Sequence, residues 1–407
     1  MKLLHTSDWH LGKHLESFSR LQEQQAVLNE ICEIADCEKV DAVIIAGDLF
    51  DTFNPPVEAI ELFYKTLKRL TNNGKRAVIA IAGNHDSPNR IEAPDPLARE
   101  CGILFAGYPN SVVAPLELES GLKVTLSEPG FIEVRLPDIP DTLRILLTPY
   151  ANELRLKTFL GHDDPNESLR SALKSSWEKI ARNYCDNNGV NILIAHLFMA
   201  REDEIMPEEP EDEKPILFMG GTQVIYSSDV SPAIQYVALG HLHKEQMIDY
   251  QPCPIVYSGS PLAYSFSEAD QKKYVILIES QHDSPVKLSE IPLLQGKKLV
   301  RMRFENVDEA VLWLSKNPNV FVELTLVTEN YMSADDRKRL NDAHEGIVMI
   351  IPELANKEMM QNDNTSVIDL NKSIEELFKD FFFNKKGQAP NELIINLFKE
   401  VLSEEEA

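Results

Sequence analysis

AVIIAGDLFD, residues 42 to 51, is the stretch whose reading decides the fold. The apolar run Val43 to Ala46 shows no alternation, so both of its faces must be covered, and this predicts a parallel strand buried within a layered α/β structure. Gly47 gives the backbone room to turn. Asp48 stands where strand becomes loop, the place where open α/β sheets keep their ligands. A carboxylate there can bridge two metal ions, or it can cap the helix to come. Recurrence of the same construction along the chain separates the two readings.

It does recur. Leu3-Leu4-His5-Thr6 predicts a first strand that ends in SDWHLG, where Asp8 and His10 lie two residues apart and can aim at one point. A carboxylate oxygen beside an imidazole suits a first-row divalent metal. Ser19 to Ala35 follows as an amphipathic helix, and Pro55-Pro56 open a second one, VEAIELFYKTLKRL. AVIAIA (Ala77 to Ala82) closes on GNHD, which offers the amide oxygen of Asn84 and the imidazole of His85. VNILIA (Val190 to Ala195) ends on His196, and QYVALGHLH (Gln235 to His243) delivers His241 and His243. PIVYSGSPLAY and YVILIE are expected to complete the second half of the sheet system. The pieces GLKVTL, FIEVRL and LRILLTP between residues 110 and 150 alternate as antiparallel strands flanking a central sheet do. Asn166 to Cys185 reads as a helix.

Composition bounds the possibilities. A chain of 407 residues accommodates two or three domains. No apolar run approaches the ~18 residues of a spanning helix, and MKLLHTSD lacks a signal-peptide core, so a cytoplasmic location without membrane attachment is expected. The five cysteines form no CxxC pair and read as reduced structural residues. With 65 acidic against 40 basic residues the formal charge is -25, so bulk charge repels polyanions. Any hold on nucleic acid must come from local basic patches, bound cations or a partner.

The architecture changes at Lys297. Lys298 to Glu353 reads strand, helix, strand, helix, strand, without ligand-like residues at the strand ends. A polar linker, QNDNTS, precedes two amphipathic helices with apolar faces Ile374, Leu377, Phe378, Phe381, Phe382 and Ile394, Leu397, Phe398, Val401, Leu402. They need a surface to cover, their own domain's or a partner's. The acidic, proline-broken segment Arg201 to Lys214 reads as a solvated insertion in preference to a functional lid.

Collected, the residues at strand ends are Asp8, His10, Asp48, Asn84, His85, His196, His241 and His243, which hold five of the ten histidines. This set points to a two-metal site suited to phosphoryl transfer. No GxSxG nucleophile motif and no GxxxxGK[ST] phosphate loop occur in the sequence.

The motifs SDWH, GDLFD, GNHD, a solitary histidine after a strand, and GHLH, in that order, resemble the calcineurin-like metallophosphoesterases. TSDWHLG and GDLFDT are similar in particular to the SbcD branch, the nuclease subunits of bacterial SbcCD-type complexes. The motifs run to about Pro261, and the small unit and tail follow in that branch's order. The resemblance implies an α/β two-sheet sandwich flanked by helices over residues 1–296, a small α/β capping domain over 297–356, and a linker with partner-binding helices over 357–407. It implies Asp8, His10 and His243 on one metal, Asn84, His196 and His241 on the other, and Asp48 bridging, with manganese the usual activator. His85 would be a non-ligand histidine that contacts the phosphate and helps protonate the leaving oxygen. Some archaeal relatives carry a histidine where Asp51 stands, and Asp51 could instead orient a ligand. The implied activity is exonuclease action on DNA ends and endonuclease action on hairpins, in DNA repair, recombination and replication. The implied assembly is a homodimer within a heterotetramer, with the tail helices docked on an SbcC-type coiled-coil ATPase. A protein phosphatase of the same superfamily is disfavoured because GDxxDRG and GNHE are missing. A small-molecule or nucleotide metallophosphodiesterase fits the site without requiring the added domain and tail, and an intact ligand set argues against a non-catalytic scaffold.

Overall fold

The structure is a computed structural model. It describes residues 1–156, 165–202, 206–207, 224–328 and 332–354, then 377–379, 382, 390 and 395. Its main elements are β1 (Lys2–Thr6), α1 (Leu21–Cys37), β2 (Ala42–Ala46), α2 (Val57–Leu70), β3 (Ala77–Ile81) and β4 (Ile103–Ala106). The chain continues with β5 (Leu116–Glu117), β6 (Lys123–Glu128), β7 (Phe131–Arg135), β8 (Thr142–Thr148), α3 (Pro165–Tyr184), β9 (Gly189–His196) and β10 (Tyr236–Gly240). After these come β11 (Gln246–Asp249), β12 (Ile255–Tyr257), β13 (Tyr274–Glu279) and β14 (Lys287–Pro292).

Two large sheets result. The first runs β14-β13-β1-β2-β3-β4, with β1 to β4 parallel, and the second runs β11-β12-β10-β9-β8-β7-β6-β5, with β8, β9, β10 and β12 parallel. The unalternating runs are explained by where their neighbours lie. Ile44 and Ala46 of β2 join Ile192 and Ile194 of β9 in a core between the sheets. Val43 and Ile45 face the other way, onto Val27 and Ile31 of α1 and Phe63 and Leu67 of α2. Leu193 and Ala195 of β9 likewise turn outward to Leu169, Leu173 and Trp177 of α3. The order of layers is therefore helices, sheet, sheet, helices, as expected for this α/β sandwich. No helix among the described residues is long and apolar enough to cross a membrane.

Three expectations need correction. YVILIE does not belong with the second half of the sheet system: β13 pairs antiparallel with β1, Lys2 opposite Glu279 and His5 opposite Ile276. β1 would otherwise be an open edge, and β13 with β14 closes it. The strands between residues 110 and 150 are antiparallel among themselves, but they build one side of the second sheet, where β8 switches to parallel pairing with β9. The first helix begins at Leu21 and ends at Cys37, two residues later at each end than the pattern suggested.

The predicted strand-helix-strand-helix-strand unit is present as β15 (Lys298–Phe304), α4 (Val307–Lys316), β16 (Val320–Thr328), α5 (Ala334–Ala343) and β17 (Ile347–Leu354), in a three-stranded sheet β15-β16-β17. Leu299 and Phe321 of this sheet pack with Leu15 and Phe266 in a small apolar cluster. Residues 1–326 and 334–351 form one compact unit, and 327–333 with 352–407 form a second. In the second, Leu377, Phe378 and Phe382 are helical and half-buried, and the Phe378 and Phe382 rings lie 5.9 Å apart. The other tail positions singled out, Ile374, Phe381, Ile394, Leu397, Phe398, Val401 and Leu402, lie outside the described residues, as does most of the acidic segment 201–214.

Candidate metal centre

The strand ends meet at one edge of the sandwich. There the backbone is forced into the left-handed region at Asp8 (φ 53°), His10 (φ 43°), Asp48 (φ 48°) and His241 (φ 110°). Such positions cost roughly 1–3 kcal/mol each for residues other than glycine and persist only where the surroundings over-determine them. Here main-chain bonds supply the constraint: Asp8 N–H donates to the Gly47 carbonyl at 3.0 Å and His10 N–H to the Asp48 carbonyl at 2.9 Å. Glycines clear the space. A Cβ on Gly47 would stand 2.2 Å from His196 Nδ1, and one on Gly83 would stand 2.1 Å from Asp48 Oδ1.

All eight residues singled out at strand ends converge. His196 Nε2 lies 2.8 Å from Asn84 Oδ1 and 3.3 Å from Asp48 Oδ2. Asn84 Oδ1 is also 3.1 Å from His241 Nδ1. On the other side His10 Nε2 is 3.1 Å from His243 Nε2 and 3.7 Å from Asp48 Oδ2. Asp8 Oδ1 accepts the His241 N–H at 2.9 Å, and Asp8 Oδ2 accepts from the Ser7 hydroxyl at 2.5 Å. Asp8, His10, Asp48 and His196 are buried, whereas Asn84 and His85 are partly open to solvent. His85 stands at the rim, its Nδ1–H donating to the Asp51 carbonyl at 2.8 Å, which turns Nε2 to the opposite side of the ring. Asp51 itself places Oδ1 3.7 Å from His10 Nδ1 and 3.1 Å from the Lys13 ammonium.

The donor set fits divalent cations. His196 Nδ1 faces the Ala46 carbonyl at 2.8 Å, a pure acceptor, so Nδ1 carries a proton and Nε2 is the ring nitrogen turned to the centre, the one available to a metal. Nε2 then faces the Asn84 amide oxygen and the Asp48 carboxylate, so positive charge is favoured at that point, either as a proton on Nε2 that is donated to these oxygens or as a cation in its place. Electrostatics agree. Burial alone would push the His196 imidazolium down, but Asp48 and Asp8 outweigh it and raise it to about 9. Burial also raises the Asp8 carboxyl, with the neighbouring histidines opposing. Asp8, His10 and Asp48 each bring a ligand atom within 4.8 Å of the others, as do His10, Asp51 and His85. Mixed imidazole, carboxylate and amide oxygen ligation suits a first-row metal.

Several supporting residues were not foreseen. The Asp86 carboxylate accepts N–H bonds from Leu49 (3.0 Å), Phe50 (3.0 Å) and Gly83 (2.8 Å), tying the GDLF turn to the GNHD turn. Burial and the nearby Asp48 push its carboxyl up to about 6. The buried Arg155 guanidinium donates to the carbonyls of Gly83 (2.7 Å), Asn84 (3.2 Å) and Asp86 (2.9 Å), which fastens the same turn from outside. Glu268 Oε1 lies 3.3 Å from His243 Nδ1, and its carboxylate pairs with Lys273 at 2.5 Å. Burial alone would raise the Glu268 carboxyl, but Lys273 and His243 hold it well below the usual range. Asp86 had a legible signal, since it completes GNHD. Arg155, Glu268 and Lys273 had none, because each acts on residues far away in sequence.

Comparison with known proteins bears on the family of the chain as a whole. Residues 1–198 match the family model described as calcineurin-like phosphoesterase. The chain is 35% identical over 411 residues to SbcD, the D component of the SbcCD nuclease, from Bacillus subtilis, covering 99% of this chain and 98% of that protein. It is 26% identical over 406 residues to the SbcD component of the nuclease from Staphylococcus epidermidis (99% and 98% covered) and 25% identical over 398 residues to that of Escherichia coli (95% and 92% covered).

Proposed function

The chain belongs to the SbcD family of calcineurin-like phosphoesterases, and from that premise we propose that it is a metal-dependent DNA nuclease, cleaving DNA ends and hairpins by phosphodiester hydrolysis. The observation that carries the reading is the convergence of Asn84 Oδ1 and Asp48 Oδ2 within 3.3 Å of His196 Nε2, a buried group of metal-ligand atoms that favours positive charge at one point. Asn84, His196 and His241 would hold one divalent ion, Asp8, His10 and His243 the other, and Asp48 both. The ions, manganese in this reading, would supply Lewis acidity toward the phosphate and a water activated near neutral pH.

The chain's own residues do the rest. Asp86 and Arg155 hold the GNHD turn, so Asn84 and His85 cannot drift as the substrate binds. His85 stands at the rim with Nδ1 donating to the Asp51 carbonyl, and its Nε2 would contact a phosphate oxygen and deliver a proton to the leaving oxygen. Asp51 faces His10 and Lys13 and helps to orient that wall of the site. The net charge of -25 means that this chain attracts DNA poorly by itself. A partner is consistent with that balance: a homodimer of this chain in a cytoplasmic heterotetramer with an SbcC-type coiled-coil ATPase, reached by the tail helices. The test is cleavage of hairpin DNA with manganese, with and without the ATPase and ATP. Manganese-dependent nicking by the chain, extended to duplex ends by the ATPase, is expected. Hydrolysis of nucleotide diesters with no cleavage of DNA under either condition would overturn the reading.

A further inference from the structure

We propose that the buried Glu268–Lys273 pair positions His243 for its cation and so sets the affinity and ligand geometry of one of the two metal positions. The inference rests on the reading of His243 as a ligand. Glu268 and Lys273 are 2% and 8% exposed, deep beside the centre yet outside the ligand set. Both charges grip the same residue. Glu268 Oε1 accepts the ring Nδ1–H of His243 at 3.3 Å, and Lys273 Nζ donates to the His243 main-chain carbonyl at 2.9 Å. A histidine side chain has two free torsions, and holding its carbonyl and its Nδ1 leaves neither free. Because a carboxylate only accepts, the proton is kept on Nδ1, and Nε2 presents its lone pair toward His10 Nε2, 3.1 Å away.

The pair is itself fixed. Glu268 Oε1 takes the N–H groups of Tyr264 (3.1 Å) and Ser265 (3.2 Å), and Lys273 Nζ donates to Ser260 Oγ at 3.0 Å. Stability gives no reason for this arrangement, since apolar residues of similar volume commonly replace a buried ion pair without loss. Placement does. A metal-bound imidazole whose second nitrogen meets a carboxylate is oriented and made more basic, and loss of such a partner weakens metal binding about 10–100-fold. The two sides of the centre differ here: His196 meets the neutral Ala46 carbonyl, whereas His243 meets a carboxylate.

The test uses the full chain carrying Glu268→Gln with Lys273→Met, which removes both charges at nearly constant volume. Manganese titration by calorimetry, metal content by elemental analysis and the visible spectrum of the cobalt-loaded protein are read beside His243→Ala. The expected result is an unchanged melting temperature without metal, one manganese bound as in the unmodified chain, the other bound about 10–100-fold more weakly, and an altered cobalt spectrum. Two manganese ions held at full affinity with an unaltered spectrum, while His243→Ala loses one, would overturn the positioning role alone. Two ions retained at full affinity by His243→Ala would overturn the ligand reading, and the inference with it. If the double variant does not fold, Glu268→Gln alone decides by the same titration: one weakened position supports the role, and two unchanged positions refute it.

Discussion

The backbone N–H of His85 donates to Oδ1 of Asp48 at 2.9 Å, so the residue assigned to proton delivery and the residue assigned to bridging are locked together through the main chain. Displacing either one by an ångström displaces the other. This coupling shapes what substitutions should do.

Asp48→Ala removes the carboxylate shared by both halves of the centre. Both metals and all phosphodiesterase activity should disappear together. Elemental analysis finding two metals per chain in that variant would sink the bridging role.

Gly83→Ala changes no ligand, yet its new Cβ would stand 2.1 Å from Asp48 Oδ1 and 2.3 Å from the Asp48 backbone nitrogen. The main chain cannot give way there without moving Asp48. Metal content and activity should therefore fall as they do in Asp48→Ala, with an overpacking cost of ~1–3 kcal/mol in chemical denaturation. A variant with full metal content and wild-type rate would show that the turn is looser than its geometry implies.

His85→Ala separates catalysis from binding. Both metals and DNA affinity should persist while cleavage drops by ~10²–10⁴-fold, the usual worth of a general acid or base. Loss of a metal in this variant would instead make His85 a ligand.

Acid sensitivity should trace in part to His5, which joins the two sheets beneath the site. Its Nε2–H donates to the Leu239 carbonyl at 3.1 Å and its Nδ1 accepts from the Tyr236 hydroxyl at 3.0 Å. Burial lowers its pKa from 6.5 to about 3 against the opposing pull of the Leu239 carbonyl. Between those values the unfolded chain binds a proton that the folded chain refuses, so stability falls as pH drops through that window, by up to about 1.4 kcal/mol per pH unit. Glutamine does not titrate, so His5→Gln should flatten this part of the profile by one proton's slope. Urea midpoints at pH 7 and pH 5 that shift equally in both proteins would contradict it.

Truncation after Thr365 should leave the metal centre and hydrolysis of simple phosphodiesters intact, and should abolish ATPase binding and ATP-dependent cleavage of duplex ends. The ten apolar side chains that the sequence pattern places on two tail helices, each worth ~1.5–3 kcal/mol when buried, are expected to need a surface to cover. A truncated chain that still co-purifies with the ATPase at full strength, or whose melting temperature collapses, would assign the helices to this chain's own core.

The buried strands and the cluster of polar residues at their ends were legible in the sequence because both are local. Val43 to Ala46 must be covered on both faces wherever it lies, and a residue that follows such a run necessarily sits at a sheet edge. The sheet to which Tyr274–Glu279 belongs was not legible: a run covered on both faces looks the same in either sheet, and only the open edge of β1 selected it. The supports of the centre were hidden for a related reason. Arg155 reaches the Gly83 carbonyl across 72 positions and Glu268 reaches His243 across 25. An arginine, a glutamate and a lysine in polar stretches carry no mark of burial. Sequence by itself determined the layered α/β sandwich and which side chains stand at its strand ends. Tertiary structure decided how those side chains are aimed, because direction is set by hydrogen bonds between segments that meet only in the folded chain.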